Sequence, residues 1–563
     1  MKSVLFFRAV LARRATSARG ALPAPSPFYL PPFTHCSLLL DLLIVLVYFA
    51  GILALAIFGG RGAAAQSSEE FFLSGRSLRW PSIALSTIAT NIQGYQFLGM
   101  MGSAYLYGLA QANLEINAVL ALWLAAFVFV PLYLRGRVTT ISQFIESRLG
   151  AAAAVVYSGA NIVLFATLGL GAALFWGAYA AELVFADVLN FLGADAATRT
   201  GVLIVGIGLF VGAYTLYGGL SAVVRTDVLQ FVVLTLGGVI VLVASLRVAG
   251  GYGALYERVP ELMTLHLPAD HPKLPWTAIF GMLLLNLNYW GANQAVLQRS
   301  LAARSLADAQ TGLLVGGVLK YAMAAIVVLP GIALAATLTQ EGGGGLADPD
   351  EAFPYLVTHY VPSGLRGVIL CALFASLMST ADSLLNSIST LFTVDIYKRH
   401  LRPSASDAAQ LRAARIALGV SLLVGTAMAF VLMHVKLSDP GASFTHVLNE
   451  LNYYIKAGIV VIISGAVFLV NPRGSYVTLA FFATIPLHLF FIHVGPLLGL
   501  PEFNYFVRSG VVILLGFGLA WGLSGFRQNL RYDAGLVAFA SLPLKRAGLA
   551  LLASLVVVHV VWG

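Results

Sequence analysis

Fourteen apolar stretches, each long enough to cross a bilayer (about twenty residues), follow one another between residues 37 and 562. No other feature constrains the fold as strongly. Hydrocarbon admits only helices or closed barrels, because every backbone polar group must find a partner within the protein, and runs of this length are helices. The connections are short, and none can hold a soluble catalytic domain. Only 10% of the 563 residues are charged, against roughly 25% in soluble domains. The expected class is therefore an all-α membrane protein with about 14 transmembrane helices. The 33 Lys and Arg outnumber the 24 Asp and Glu, but they sit in short loops. They read as topogenic charge, not as a nucleic-acid surface. With the first span starting outside, nineteen basic residues, Arg299 among them, fall on the inner side and seven on the outer. Residues 1–36 are basic and then Pro-rich, and are expected to stand outside the fold as a presequence-like extension. Cys36 and Cys371 lie in or beside apolar spans and indicate neither a disulfide framework nor a cysteine metal site.

Two spans are interrupted. Residues 86–97 read Ser-Thr-Ile-Ala-Thr-Asn-Ile-Gln-Gly-Tyr-Gln-Phe in the middle of an apolar run, and residues 286–293 read Asn-Leu-Asn-Tyr-Trp-Gly-Ala-Asn in another. Irregular backbone at membrane depth survives only where it lines a cavity or an ion site. Each interruption opens a set of five spans, 80–250 and 274–472. An odd number of spans per set inverts one half relative to the other, which gives a 5+5 inverted repeat. Paired broken helices at matching positions point to a midplane binding site between the halves. Residues 37–79 form a first helix and loop, 251–273 an outer loop, and 473–563 three further helices.

A charge within a span is a functional candidate by default. Glu115, Asp227 and Lys320 are three such residues. Glu115 also starts its span and so could mark an interface, and Asp227 can equally cap its helix near the inner end and pair with Arg225. Lys320 is expected to have a packed interior partner. Lys456 also falls within a span, with no role assigned by the sequence. Ser376, Ser379, Thr380 and Ser383 recur at three and four residues and so largely share one helix face. Hydroxyls facing the carbonyls of the 89–96 break suit a hard cation such as Na⁺, whereas calcium wants several carboxylates and transition metals want His or Cys. Taken alone, the same hydroxyls are also common interhelical glue. The histidines, including His266, His271 and His400, show no ligand spacing and read as surface residues.

These residues resemble the sodium:solute symporter family, and within it the sodium/sugar cotransporters. The resemblance rests on Phe72-Leu-Ser-Gly-Arg-Ser-Leu, on the segment from Ala89 to Met100, and on Tyr217-Gly-Gly-Leu-Ser-Ala-Val-Val-Arg-Thr-Asp-Val. It rests also on Asn288-Tyr-Trp-Gly-Ala-Asn-Gln and on the run from Leu385 to Tyr397. It implies a leucine-transporter-like inverted-repeat core. It implies a Na⁺ site made by the carbonyls of Ala89, Ile92 and Ser376 with the hydroxyls of Ser379 and Thr380. Sugar contacts would come from Asn91, Gln96, Glu115, Asn286 and Lys320, with Tyr289 stacking as an inner gate and Trp290 beside it. Asp227, with Asp382 and Ser383, is the candidate for a second cation site. The chain departs from the sugar carriers in having no Gln and Pro in the helix that carries Asn449, Asn452 and Lys456, in Ala118, and in the bulky Tyr95.

The expected activity is Na⁺-coupled symport of a neutral sugar or polyol, glucose- or galactose-like or myo-inositol. It would take place by alternating access in a plasma membrane, a bacterial inner membrane, with sodium, the solute and membrane lipid as partners. No nucleic-acid partner is expected and no oligomer is required. A symporter for another small solute (an amino acid, a sialic acid, a vitamin) and a sugar-gated sensor or uncoupled channel are the rivals. An enzyme is not expected, because no nucleophile–base or metal constellation is present.

Overall fold

The computed structural model describes residues 35–58, 67–340, 345–346, 348–362, 364–438, 444–526, 530 and 536–563. The extension expected at residues 1–36 lies almost wholly outside the described residues. Among those described, every element longer than an isolated bridge is helical. The elements that position the site are α1 (His35–Phe58), α2 (Trp80–Asn91), α3 (Asn113–Ile116), α4 (Ala196–Val248), α5 (Ala278–Gly291) and α6 (Gln294–Leu301). They continue with α7 (Leu306–Gln340), α8 (Arg366–Thr390), α9 (Phe444–Phe468), α10 (Tyr505–Ser524) and α11 (Leu542–Trp562).

Eleven helices among the described residues are long and apolar enough to span a membrane. The difference from fourteen has a physical origin. Two expected spans are cut by breaks: α2 stops at Asn91 and α5 at Gly291, leaving pieces of 12 and 14 residues. The apolar part of α1 is the shorter Leu40–Ala56, and the second and third expected spans run together as Gln96–Arg135. Elsewhere a loop expected around residues 218–225 is a kink. Helix α4 runs 53 residues and bends only at Gly219, where φ is 53° and ψ is −151°. A Cβ there would also sit 2.5 Å from the Phe71 carbonyl oxygen, so glycine lets the helix turn against the 71–73 segment and resume.

Depth in the bundle is graded. The most apolar window of the helix containing α8 is 94% buried, against 17% for α11. Helix α8 is thus the central post, flanked along its length by α4, while α7 packs on α2. Helices α5 and α10 cross at glycine: Gly281 and Gly510 face each other, and a Cβ on Gly281 would lie 1.8 Å from the Phe506 carbonyl oxygen. Small residues at such crossings let backbones approach where no hydrophobic force drives helices together.

The end of α11 folds back onto the outer loop, where the Trp562 carbonyl accepts from the Leu265 N–H at 2.7 Å. This fold-back corrects the reading of the histidines. His266 Nε2 lies 3.0 Å from His559 Nδ1, whose ring reaches Asn117 Oδ1 through Nε2 at 3.1 Å. His488 is buried as well. His400 is exposed, as expected.

Candidate functional site

Helix α2 ends inside the helix bundle because Ile92 leaves helical geometry (φ −88°, ψ 116°). Termination strips the last carbonyls of their i+4 donors. Ile88 receives the Ile92 N–H, Thr90 receives the Thr380 hydroxyl at 3.2 Å, and Asn91 receives the Gln96 amide at 2.9 Å. Ala89 is the member of this group for which no donor is found among the described residues. Gln96 also accepts the Gln93 N–H at 2.7 Å. Its side chain, expected at the sugar, is therefore engaged in closing the break.

The hydroxyl face of α8 lies against this broken end. Ser376 donates to the Leu373 carbonyl at 3.0 Å, Ser379 to Asp227, and Thr380 to the Thr90 carbonyl. A hydroxyl has one proton and two lone pairs. Each of these three spends its proton on the protein, so each oxygen is left as an acceptor. Such an oxygen set, with carbonyls from the break, fits an unprotonated hard cation. Ala89, Ile92, Ser376, Ser379 and Thr380 are all buried.

Asp227 does not sit near a helix end, and its ion-pair partner is Arg299, not Arg225. Its carboxylate is fully buried, bonded by Ser86 and Ser379 and paired with Arg299 at 2.9 Å. Arg299 is corrected with it. Counted on sequence as an inner-loop charge, it is 1% exposed. It reaches the Ser86 hydroxyl with Nε at 2.6 Å, Ser383 through Nη2, and its own Ala295 carbonyl through Nη1. Asp382 accepts from Tyr214 at 2.6 Å and from Ser383 at 3.2 Å, and Ser383 lies 2.9 Å from Thr90. Helices α2, α4, α6 and α8 thus meet in one acid–hydroxyl–guanidinium cluster. Sequence reading missed Ser86, Thr90, Tyr214 and Arg299 as members. For Arg299 the available signal was a single basic residue in an otherwise uncharged helix directly after the second break.

Glu115 and Lys320, the second and third deep charges, form a pair. Both are buried, and the Lys320 ammonium donates to Glu115 and to the side-chain amide oxygen Oδ1 of Asn91. The same ammonium lies 5.6 Å from the Trp290 ring centre. Tyr289 and Trp290 pack edge to face at 5.0 Å, and the Tyr289 hydroxyl neighbours Asn91. Asn286 is half-buried on α5, one turn before Trp290. Two donors here are orphans among the described residues: Trp290 Nε1 and Asn288 Nδ2, both buried and unbonded. Buried polar groups are normally paired; the Trp290 N–H, on the ring beneath the Lys320 ammonium, is left free to meet a ligand. The side chain of Asn449 lies outside the described residues.

A bundle of spanning helices in which two broken helices meet an acid–hydroxyl cluster and a buried ionic triad has the build of a secondary transporter. Comparison with known proteins agrees. The sequence pattern of the sodium:solute symporter family matches residues 71–475, and the chain belongs to that family. The sodium/glucose cotransporter of Vibrio parahaemolyticus is 31% identical over 477 residues, covering 80% of this chain and 84% of that protein. Sodium/glucose cotransporter 1 of Ovis aries is 30% identical over 475 residues, covering 77% and 69%. Among solved structures, a substrate-bound, outward-open Na⁺-coupled sialic acid symporter aligns with a TM-score of 0.74 at 18% identity, covering 87% of this chain and 99% of its own. At that identity the likeness is one of fold. The protein is a multi-pass membrane transporter, a sodium-coupled solute symporter and not an enzyme.

Proposed function

We propose that the solute is a sugar or polyol, of the glucose or galactose type or myo-inositol, carried with Na⁺ into the cell across a plasma membrane, in bacteria the inner membrane. The observation that carries this reading is the Lys320–Glu115–Asn91 triad beside the unpartnered indole N–H of Trp290. The opposite charges of Lys320 and Glu115 cancel, so the triad asks no charge of the ring it meets. It offers ammonium donors and carboxylate and amide acceptors to hydroxyls, while Tyr289 and Trp290 offer an aromatic wall to the apolar face. Asn286 and, through its hold on the break, Gln96 complete the contact set.

Sodium is read as bound by the carbonyls of Ala89, Ile92 and Ser376 and the hydroxyls of Ser379 and Thr380, closing the α2 break onto α8. Asp227, Asp382 and Ser383 are the candidate for a second cation. There two carboxyl groups and the hydroxyls of Ser86, Ser379, Ser383 and Tyr214 stand with the single guanidinium of Arg299. The two sets of five spans, 80–250 and 274–472, are read as inverted halves that rock around the site. A membrane potential supplies about 2.3 kcal/mol per charge per 100 mV, which is near fiftyfold accumulation of a neutral solute for one Na⁺.

Uptake of labelled glucose, galactose and myo-inositol into proteoliposomes, with and without an inward Na⁺ gradient, tests the reading. Wild type should accumulate at least one of them only with the gradient, and Thr380→Ala should abolish the dependence. Accumulation without sodium would remove the cation assignment. A folded protein that takes up none of these or related sugars would remove the sugar.

A further inference from the structure

Charges buried within the spans come with partners: Lys320 with Glu115, Asp227 with Arg299, Arg199 with Glu182, and Asp395 with Thr140 and Ser158. Lys456 differs. It stands at the middle of α9, thirteenth of 25 residues, and among the described residues no carboxylate pairs with it. Glu450, the acid on the same helix, is engaged by Arg508 from α10. The Lys456 ammonium instead lies over the Tyr453 ring, 5.7 Å from its centre. The Lys456 side chain is half-buried.

A chain of neighbours leads from Lys456 to the candidate solute site. Tyr453 stacks on Tyr505 with ring centres 5.7 Å apart, and both lie within electrostatic range of Tyr95. Tyr95 precedes Gln96, which is tied to Asn91, which holds Lys320. Helix α9 also packs directly on α5, which carries Tyr289 and Trp290.

An ammonium at membrane depth is costly unless something neutralises it. The ring pocket is already balanced by its own pair, so the uncompensated charge lies beside it. We infer that Lys456 receives an anionic group carried by the solute, a single carboxylate on the hydroxylated ring, so that the preferred cargo is a sugar acid of the hexuronate class. One ammonium matches one carboxylate. A phosphate dianion would bring more negative charge than the single ammonium of Lys456 offers. The inference rests on the symporter reading above and refines its substrate.

The test is competition and uptake in proteoliposomes under an inward Na⁺ gradient, comparing glucose with glucuronate and galactose with galacturonate in wild type, Lys456→Met and Lys456→Arg. A charge-assisted hydrogen bond is worth about tenfold or more in affinity. In wild type, at least one uronate should half-saturate about tenfold below its parent hexose. Lys456→Met should bring that ratio to one or below, and Lys456→Arg should retain it. Charge moved per turnover should be smaller by one for uronate than for hexose. Sodium-dependent thermal protection of each variant shows that it is folded. Hexose uptake with uronates ignored, or a uronate preference unchanged in Lys456→Met, overturns the role of Lys456 and leaves the sugar symporter intact. Failure of every hexose and uronate in a sodium-protected protein overturns the sugar reading itself.

Discussion

Trp290 separates what a side chain does for the fold from what it does for the ligand. Its Nε1 is buried and bonds to nothing among the described residues, so replacing the indole by a phenyl ring removes no hydrogen bond from the resting protein. Trp290→Phe is expected to lower solute affinity by about 1 kcal/mol, near fivefold, with only a small shift in melting temperature from lost volume. Half-saturation in uptake and thermal unfolding measured side by side check the split. An affinity that stays put would show that the indole N–H does not meet the solute. At this scale the sequence was legible where chemistry is intrinsic to the residue: Glu115, Asp227 and Lys320 declare themselves because charge in hydrocarbon is expensive. Their partners were not legible. Lys320 finds Glu115 from 205 residues away, and Asp227 finds Arg299, not the Arg225 two positions off. Pairing at such separation is decided by packing, and local spacing carries no trace of it.

Helices show the same division. The breaks after Asn91 and Gly291 were readable as a pair: one run of amides and glycine also reads as a polar face packed on neighbouring helices, but two at matching positions are hard to explain that way. The Gly219 bend was not, since Tyr-Gly-Gly followed by Arg reads equally well as a loop. Gly281 offers a test of how tightly elements are fitted. Alanine normally gains about 1 kcal/mol over glycine in a helix interior. Here its Cβ would fall 1.8 Å from the Phe506 carbonyl oxygen, which forces α5 and α10 apart, and overpacking of this kind costs about 1–3 kcal/mol or more. The clash wins. Gly281→Ala is expected to lower the melting temperature and the yield of monodisperse protein in detergent; an unchanged or raised melting temperature would mean the crossing is looser than drawn.

Across the whole molecule the Asp227 cluster is the joint between four helices. Arg299→Gln strands a fully buried carboxylate, and breaking a buried ion pair in this way costs about 3–5 kcal/mol. The double variant Asp227→Asn with Arg299→Gln should recover most of that loss, because neither charge is then left alone, while its response to sodium stays impaired. Melting temperatures of the four proteins of the cycle, each with and without Na⁺, measure both effects. Single variants that simply add would show that the two residues act independently.

The two halves of the site differ in how many neighbours each residue answers to. Around the ion, a hydroxyl on α2 is held by groups on α4 and α6, and those by α8, so one replacement disturbs the set. Among the described residues Lys456 is tied to no carboxylate, and it leans only on the Tyr453 ring. Under the proposed role, exchanging it changes the charge of what is carried while the ion cluster stays as it is. The ion would be inherited with the architecture, and the diet settled by a single codon.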